Sequence, residues 1–80
     1  MNIENHHHID AKGLNCPMPL MLLKKAIVDL PKGTVVTIDV TDEHAELDFE
    51  TWCERFGHRL EKIRVTEKVL LFSVTKGKTE

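Results

Sequence analysis

The chain has no tyrosine, and only one Trp and three Phe among its 80 residues. So few rings leave little to stack against bases, which argues against a nucleic-acid-binding surface. The net charge of -2 withholds the basic field that non-specific binding to nucleic acid or to an anionic membrane needs. No apolar run approaches the roughly 20 residues of a spanning helix, and the N-terminus is polar rather than signal-like. The expectation is a cytoplasmic protein with no membrane partner. Cysteine is scarce too. Cys16 and Cys53 fit neither a C-x-x-C redox motif nor a zinc-ribbon spacing. In a reducing compartment a structural disulfide is not expected, which leaves one thiol for function and one for the core. Four Gly and three Pro form no linker, so residues 1–80 read as a single small domain with a compact core.

The elements that are present alternate. Residues Asn5 to Ala11 contain a strand candidate, and Gly13 supplies a turn. A helix is expected over Pro17 to Asp29, with apolar Leu20, Leu23, Ala26, Ile27 and Leu30, ended by Pro31 and Gly33. Thr34 to Val40 is β-branched and puts Val36, Ile38 and Val40 on one face. Thr41-Asp42 offers an N-cap to a second helix, with Glu43 and Glu46 in its first turn. Ala45, Phe49, Trp52, Cys53 and Phe56 form its apolar stripe, and Gly57 stops it. A third strand is expected from Arg59 to Thr66 with Ile63 and Val65, then a turn at Glu67-Lys68. A fourth strand follows from Val69 to Thr75, and a frayed polar tail from Lys76. The order β-α-β-α-β-β predicts an α+β fold: a two-layer sandwich with both helices on one face of a mixed four-stranded sheet.

Chemistry concentrates at Cys16-Pro17-Met18-Pro19. Pro17 suits a first helical turn, which sets Cys16 at or near the N-cap, where N–H groups and the helix dipole favour a thiolate. A buried small hydrophobe is the plain alternative for a free cysteine. The dipole contributes about 0.3–1 kcal/mol and lowers a thiol pKa by under one unit. No residue identifies itself as a paired base. Cys53, beside Trp52 and Phe56, reads as a packed thiol, with a resolving role for Cys16 as the sharper alternative.

The remaining polar clusters have ordinary readings. Three consecutive histidines, His6 to His8, alternate faces of a strand and cannot converge on one metal ion. His58 suits a C-terminal cap, and His44 a solvated first turn. Asp10, Asp42 and Asp48 allow an acidic metal site in principle, although turn and capping roles explain the first two. Lys12, Lys24 and Lys25 form a solvated face or, more sharply, a basic rim near Cys16 that meets an acidic partner. No resident cofactor or metal is expected.

The string Ile9-Asp10-Ala11-Lys12-Gly13-Leu14-Asn15-Cys16-Pro17-Met18-Pro19 resembles the signature of the TusA-like (SirA) sulfurtransferase family, with its Cys-Pro-x-Pro motif. The resemblance continues through Lys24-Lys25-Ala26-Ile27, Gly33, Thr41-Asp42, Asp48, Trp52-Cys53 and Gly57-His58. Ile9 replaces the usual Leu, and Asn15 stands where a basic residue is common. Within the motif, Gly13, Leu14, Pro17 and Pro19 would shape the approach to the helix. The resemblance implies the same β-α-β-α-β-β sandwich and a sulfur carrier in which Cys16 accepts sulfane sulfur as a persulfide. It also implies a cysteine desulfurase or rhodanese-like donor and a downstream protein acceptor, in a pathway such as tRNA thiolation or cofactor assembly. Beside it stand a non-catalytic binding or regulatory module and a dithiol redox protein using Cys16 and Cys53.

Overall fold

Alternating apolar strands and two striped helices leave few ways to bury every apolar face, and the chain adopts the expected one. The computed structural model describes residues 6–64 and 66–77. Element order is β1 (His6–Ala11), α1 (Met18–Ile27), β2 (Val35–Val40), α2 (Ala45–Phe56), β3 (Arg59–Arg64) and β4 (Leu70–Thr75). Strand order in the sheet is β1-β2-β4-β3. β1 and β2 are parallel across α1, with Ile9 opposite Ile38. β4 lies between β2 and β3 and is antiparallel to both, so the sheet is mixed.

The period-2 pattern decides which face is covered. Val36, Ile38 and Val40 from β2, with Phe72 and Val74 from β4, are fully buried. Leu23 and Ile27 of α1 and Phe49, Trp52 and Cys53 of α2 close over them as one cluster. Phe49 meets Phe72 edge-on with ring centroids 5.1 Å apart, a geometry that adds to simple area burial. The opposite sheet face is mixed, polar residues alternating there with exposed Val35 and Ile63, and on it His8 contacts Thr37 at 2.6 Å and Asp39 at 3.1 Å.

Several local expectations are corrected. α2 begins at Ala45 rather than directly after Thr41-Asp42, with His44 at the N-cap and no side-chain cap. Asp42 is engaged elsewhere, as described below. On β3 the residues turned to the helices are Leu60 and Lys62, whose ammonium reaches Glu46 of α2 at 3.1 Å. Ile63 is 48% exposed on the other face of this edge strand. His58 is buried against Trp52, with ring centroids 4.6 Å apart, and its Nδ1 accepts the Gly77 N–H at 2.8 Å. Its own backbone N–H, bonded to the Cys53 carbonyl at 2.9 Å, does the capping where Gly57 turns left-handed at φ 78°.

The start of the tail is anchored, not frayed. Lys76 donates its N–H to Thr34 and accepts from Gly33. Its ammonium bonds the Val28 and Leu30 carbonyls at 3.1 and 2.8 Å, where the end of α1 leaves carbonyls without helical partners. Gly77 packs so tightly on Gly57 that a Cβ would lie 1.8 Å from the Gly57 carbonyl oxygen. Asn5, Val65 and the last three residues lie outside the described residues.

A domain of this length is stable by only about 4–12 kcal/mol. Phe49→Ala removes the ring that locks α2 onto β4 and should cost about 3–5 kcal/mol. Urea denaturation monitored by circular dichroism checks this; a loss under about 1 kcal/mol would mean that the ring is not packed as described.

Candidate functional site around Cys16

The site forms where the parallel strands β1 and β2 end side by side. Ala11 closes β1 fully buried, and the Leu14 N–H returns to its carbonyl at 3.2 Å. Gly13, at φ 84°, donates its N–H to the Thr41 hydroxyl at 2.9 Å. Leu14 tucks against the core. The β1–α1 loop is thereby tied to the β2–α2 loop, and the next residues are delivered to the surface.

Asp42 makes the second tie. Its Oδ2 accepts the Cys16 N–H at 2.5 Å, and its Oδ1 accepts the His44 N–H at 3.0 Å. These bonds hold its carboxyl below the usual carboxylate range, with the His44 N–H as the largest cause and the Cys16 N–H next. The carboxylate holds Cys16 in place instead of capping α2.

Cys16 is exposed, and its Sγ donates to Asp48 Oδ2 at 2.8 Å. Asp48 comes from α2, 32 residues further along the chain. The hydrogen bond to Asp48 pushes the thiol pKa up, helped by partial desolvation and by the negative charges of Asp48 and Asp42. This reverses the expectation of a helix-activated thiolate, for a local reason. Cys16 is not the N-cap; that position is Pro17, and no side chain caps the helix. Pro17 and Pro19 have no N–H, and the Met18 N–H is taken by Asn15 O at 2.8 Å. The motif starts α1 while leaving fewer free donors to hold an anion than a helix start ordinarily offers.

Asp48 as the thiol's partner is the residue that sequence reasoning missed. Its signal was present: three after Ala45 and four before Trp52, it is a carboxylate at a position spaced like the apolar stripe. Asp48 also opens onto a surface groove between the helices, lined by Leu20, Lys24, Leu47, Trp52 and Arg55 among others. Of the three lysines, only Lys24 reaches this groove. Lys12 pairs with Asp10 at 3.1 Å and Asp39 at 3.6 Å, and Lys25 is exposed further along α1. Cys53 is buried on α2, and desolvation pushes its thiol up to about 11. Among the described residues no three His, Cys, Asp or Glu converge to hold a metal ion. Asp10 goes to Lys12, while Asp42 and Asp48 go to Cys16.

Because the pKa of Asp42 is lower folded than unfolded, it contributes stability above its unfolded pKa that is lost as pH falls through the folded value. Asp42→Asn should therefore be less stable than wild type at neutral pH, with the difference narrowing on acidification below about pH 4. Thermal midpoints at neutral and acid pH test this, and parallel curves for the two proteins would contradict it.

Comparison with known proteins agrees with this architecture. The model of the family described as Sulfurtransferase TusA matches residues 7–76. The putative sulfur carrier protein YrkI of Bacillus subtilis is 38% identical over 69 residues, covering 86% of this chain and 92% of that protein. The sulfur carrier protein TusA of Pseudomonas syringae is 32% identical over 75 residues, 94% of this chain and 89% of the relative. The crystal structure of a SirA-like protein from Desulfitobacterium hafniense superposes with a TM-score of 0.80 at 29% identity, covering 89% of this chain and 97% of that one. With a matching family model across most of its length and relatives of this similarity, the chain belongs to the TusA family of sulfur carriers.

Proposed function

We propose that Cys16 carries sulfane sulfur as a persulfide, received from a cysteine desulfurase or rhodanese-like donor and passed to a protein acceptor in the cytoplasm. The observation that carries this reading is the contrast between the two thiols: Cys16 is exposed at the mouth of the site, whereas Cys53 is packed in the core. Transfer between sulfurs requires an attacking sulfur that the donor can reach. The surroundings suit a protein partner better than a small substrate. Met18, Met21 and Leu47 are apolar yet 43%, 54% and 66% exposed, and Leu47 leads into the groove beside Asp48. No helix among the described residues is long and apolar enough to cross a membrane.

The dithiol alternative receives no support from a Cys53 that is 3% exposed with a raised pKa. The partner-docking role falls on Lys24, which lines the groove, more than on Lys12, which is already paired with two carboxylates.

Intact mass after incubation with a cysteine desulfurase and cysteine tests the reading. Wild type and Cys53→Ser should gain one reducible sulfur atom, and Cys16→Ser none; a gain on Cys16→Ser would overturn it. Separately, Lys24→Glu should slow loading by the desulfurase without changing thermal stability, since exposed charges contribute under about 1 kcal/mol. Equal loading rates would remove Lys24 from the docking surface.

A further inference from the structure

Cys16 stands between two carboxylates and beside a helix start where two prolines lack an N–H and Asn15 occupies the N–H between them. That arrangement is the opposite of a site built to keep a thiolate ready. From α2, Asp48 accepts the thiol's hydrogen bond; from the β2–α2 loop, Asp42 holds the backbone N–H, with His44 on its other oxygen at 3.3 Å. On α1 itself the first turn holds no acid, and the basic residues Lys24 and Lys25 lie in the last turn. Lys24 and Arg55 line the groove onto which Asp48 opens, but among the described residues no cation forms an ion pair with Asp48. Among the described residues, then, no ion pair neutralises the carboxylate that holds the thiol.

We propose that Asp48 is a specificity-determining latch, resting on the carrier reading above: in the free protein its carboxylate holds the Cys16 thiol by a hydrogen bond, so that small persulfides in solution react slowly and sulfur is taken from a docked donor that displaces or neutralises Asp48. The transfer step balances without an added oxidant. Cys16 gives up its thiol proton, and its sulfur attacks the outer sulfur of a donor persulfide R–S–SH. The new bond from Sγ to the outer sulfur forms as the donor's own S–S bond breaks. The electron pair leaves on the R–S thiolate, which takes up the released proton. The products are R–SH and the Cys16 persulfide. The hydrogen bond to Asp48 opposes only the first event, release of the proton, so it slows every donor that arrives without a means to undo it. The raised thiol pKa is consistent with this order of events.

The test uses the Cys53→Ser protein, in which Cys16 is the sole thiol, with and without Asp48→Asn. Alkylation by iodoacetamide from about pH 6 to pH 10, followed by intact mass, reads the thiolate fraction without any sulfur donor. Asp48→Asn should move the midpoint to lower pH and speed alkylation at neutral pH about threefold or more. The rate gain is smaller than the thiolate gain, because nucleophilicity falls with pKa. Loading is then compared between glutathione persulfide and a cysteine desulfurase supplied with cysteine. The variant should load faster from the small persulfide by a similar factor and change less with the desulfurase, so that the preference for the protein donor falls. An unmoved alkylation midpoint would overturn the latch. A moved midpoint with an unchanged donor preference would overturn its role in specificity. Loading from neither donor, with the midpoint moved, would overturn the carrier reading and the specificity with it. Asp48→Ala, a better helix former than Asp, repeats the series if the amide disturbs folding, which circular dichroism would reveal.

Discussion

Both helices must bury their stripes against the same face of one sheet, and the site around Cys16 follows from that requirement. Phe49 seats α2 on Phe72, and the residue before it, Asp48, is thereby brought to the thiol. Leu23 and Ile27 seat α1 on the same core, so the start of that helix stands opposite the early part of α2. The site uses residues 26 and 32 positions apart in sequence, and neither partner of Cys16 belongs to its own loop. Apolar burial supplies the driving force, at about 1.5–3 kcal/mol for each large side chain fully removed from water. The polar bonds decide register: Thr41 on Gly13 and Asp42 on Cys16 fasten one loop to the other.

The two prolines around Met18 gain meaning in this frame. A helix N-terminus ordinarily offers free N–H groups and a positive dipole end, which suits phosphate, carboxylate or thiolate. Here the chain keeps the helix start while removing N–H groups at Pro17 and Pro19, and Asn15 occupies the one between them. The resulting surface is apolar through Met18 and acidic through Asp42 and Asp48. Such a site holds a thiol in readiness without making it a general nucleophile. That property suits a carrier, which must meet many electrophiles and react with few.

Much of the fold was legible because it depends on periodicity. β2 alternates cleanly, α2 carries a full stripe, and Gly57 marks its end, so these elements and the two-layer order could be read directly. The site was legible at Cys16 alone. Asp42 looked like an N-cap because it precedes a helical stripe, but a neighbouring loop claims its carboxylate. Ile63 marked a strand without showing which face it takes; β3 is an edge strand, and Ile63 lies on the face away from the helices. Lys76 looked like tail, but the end of α1 offers two carbonyls within its reach. Each misreading concerns which distant backbone a side chain meets, and local pattern holds no information on that. Asp48 is the instructive middle case, since a carboxylate at stripe spacing signals a buried or bridging role without naming its partner.

The two cysteines show how one direction of pKa shift serves different ends. Burial raises Cys53, and only unpacking Trp52 and its neighbours would restore a reactive thiolate, at the cost of the core itself. A single hydrogen bond to a side chain at the surface is the largest cause for Cys16, and a change in that one contact removes that cause. A shift caused by desolvation is permanent on the lifetime of the fold. A shift caused by an accessible carboxylate is conditional on what approaches it. The chain thus holds one thiol silent by structure and one silent by circumstance, and only the second can be switched by contact with another molecule.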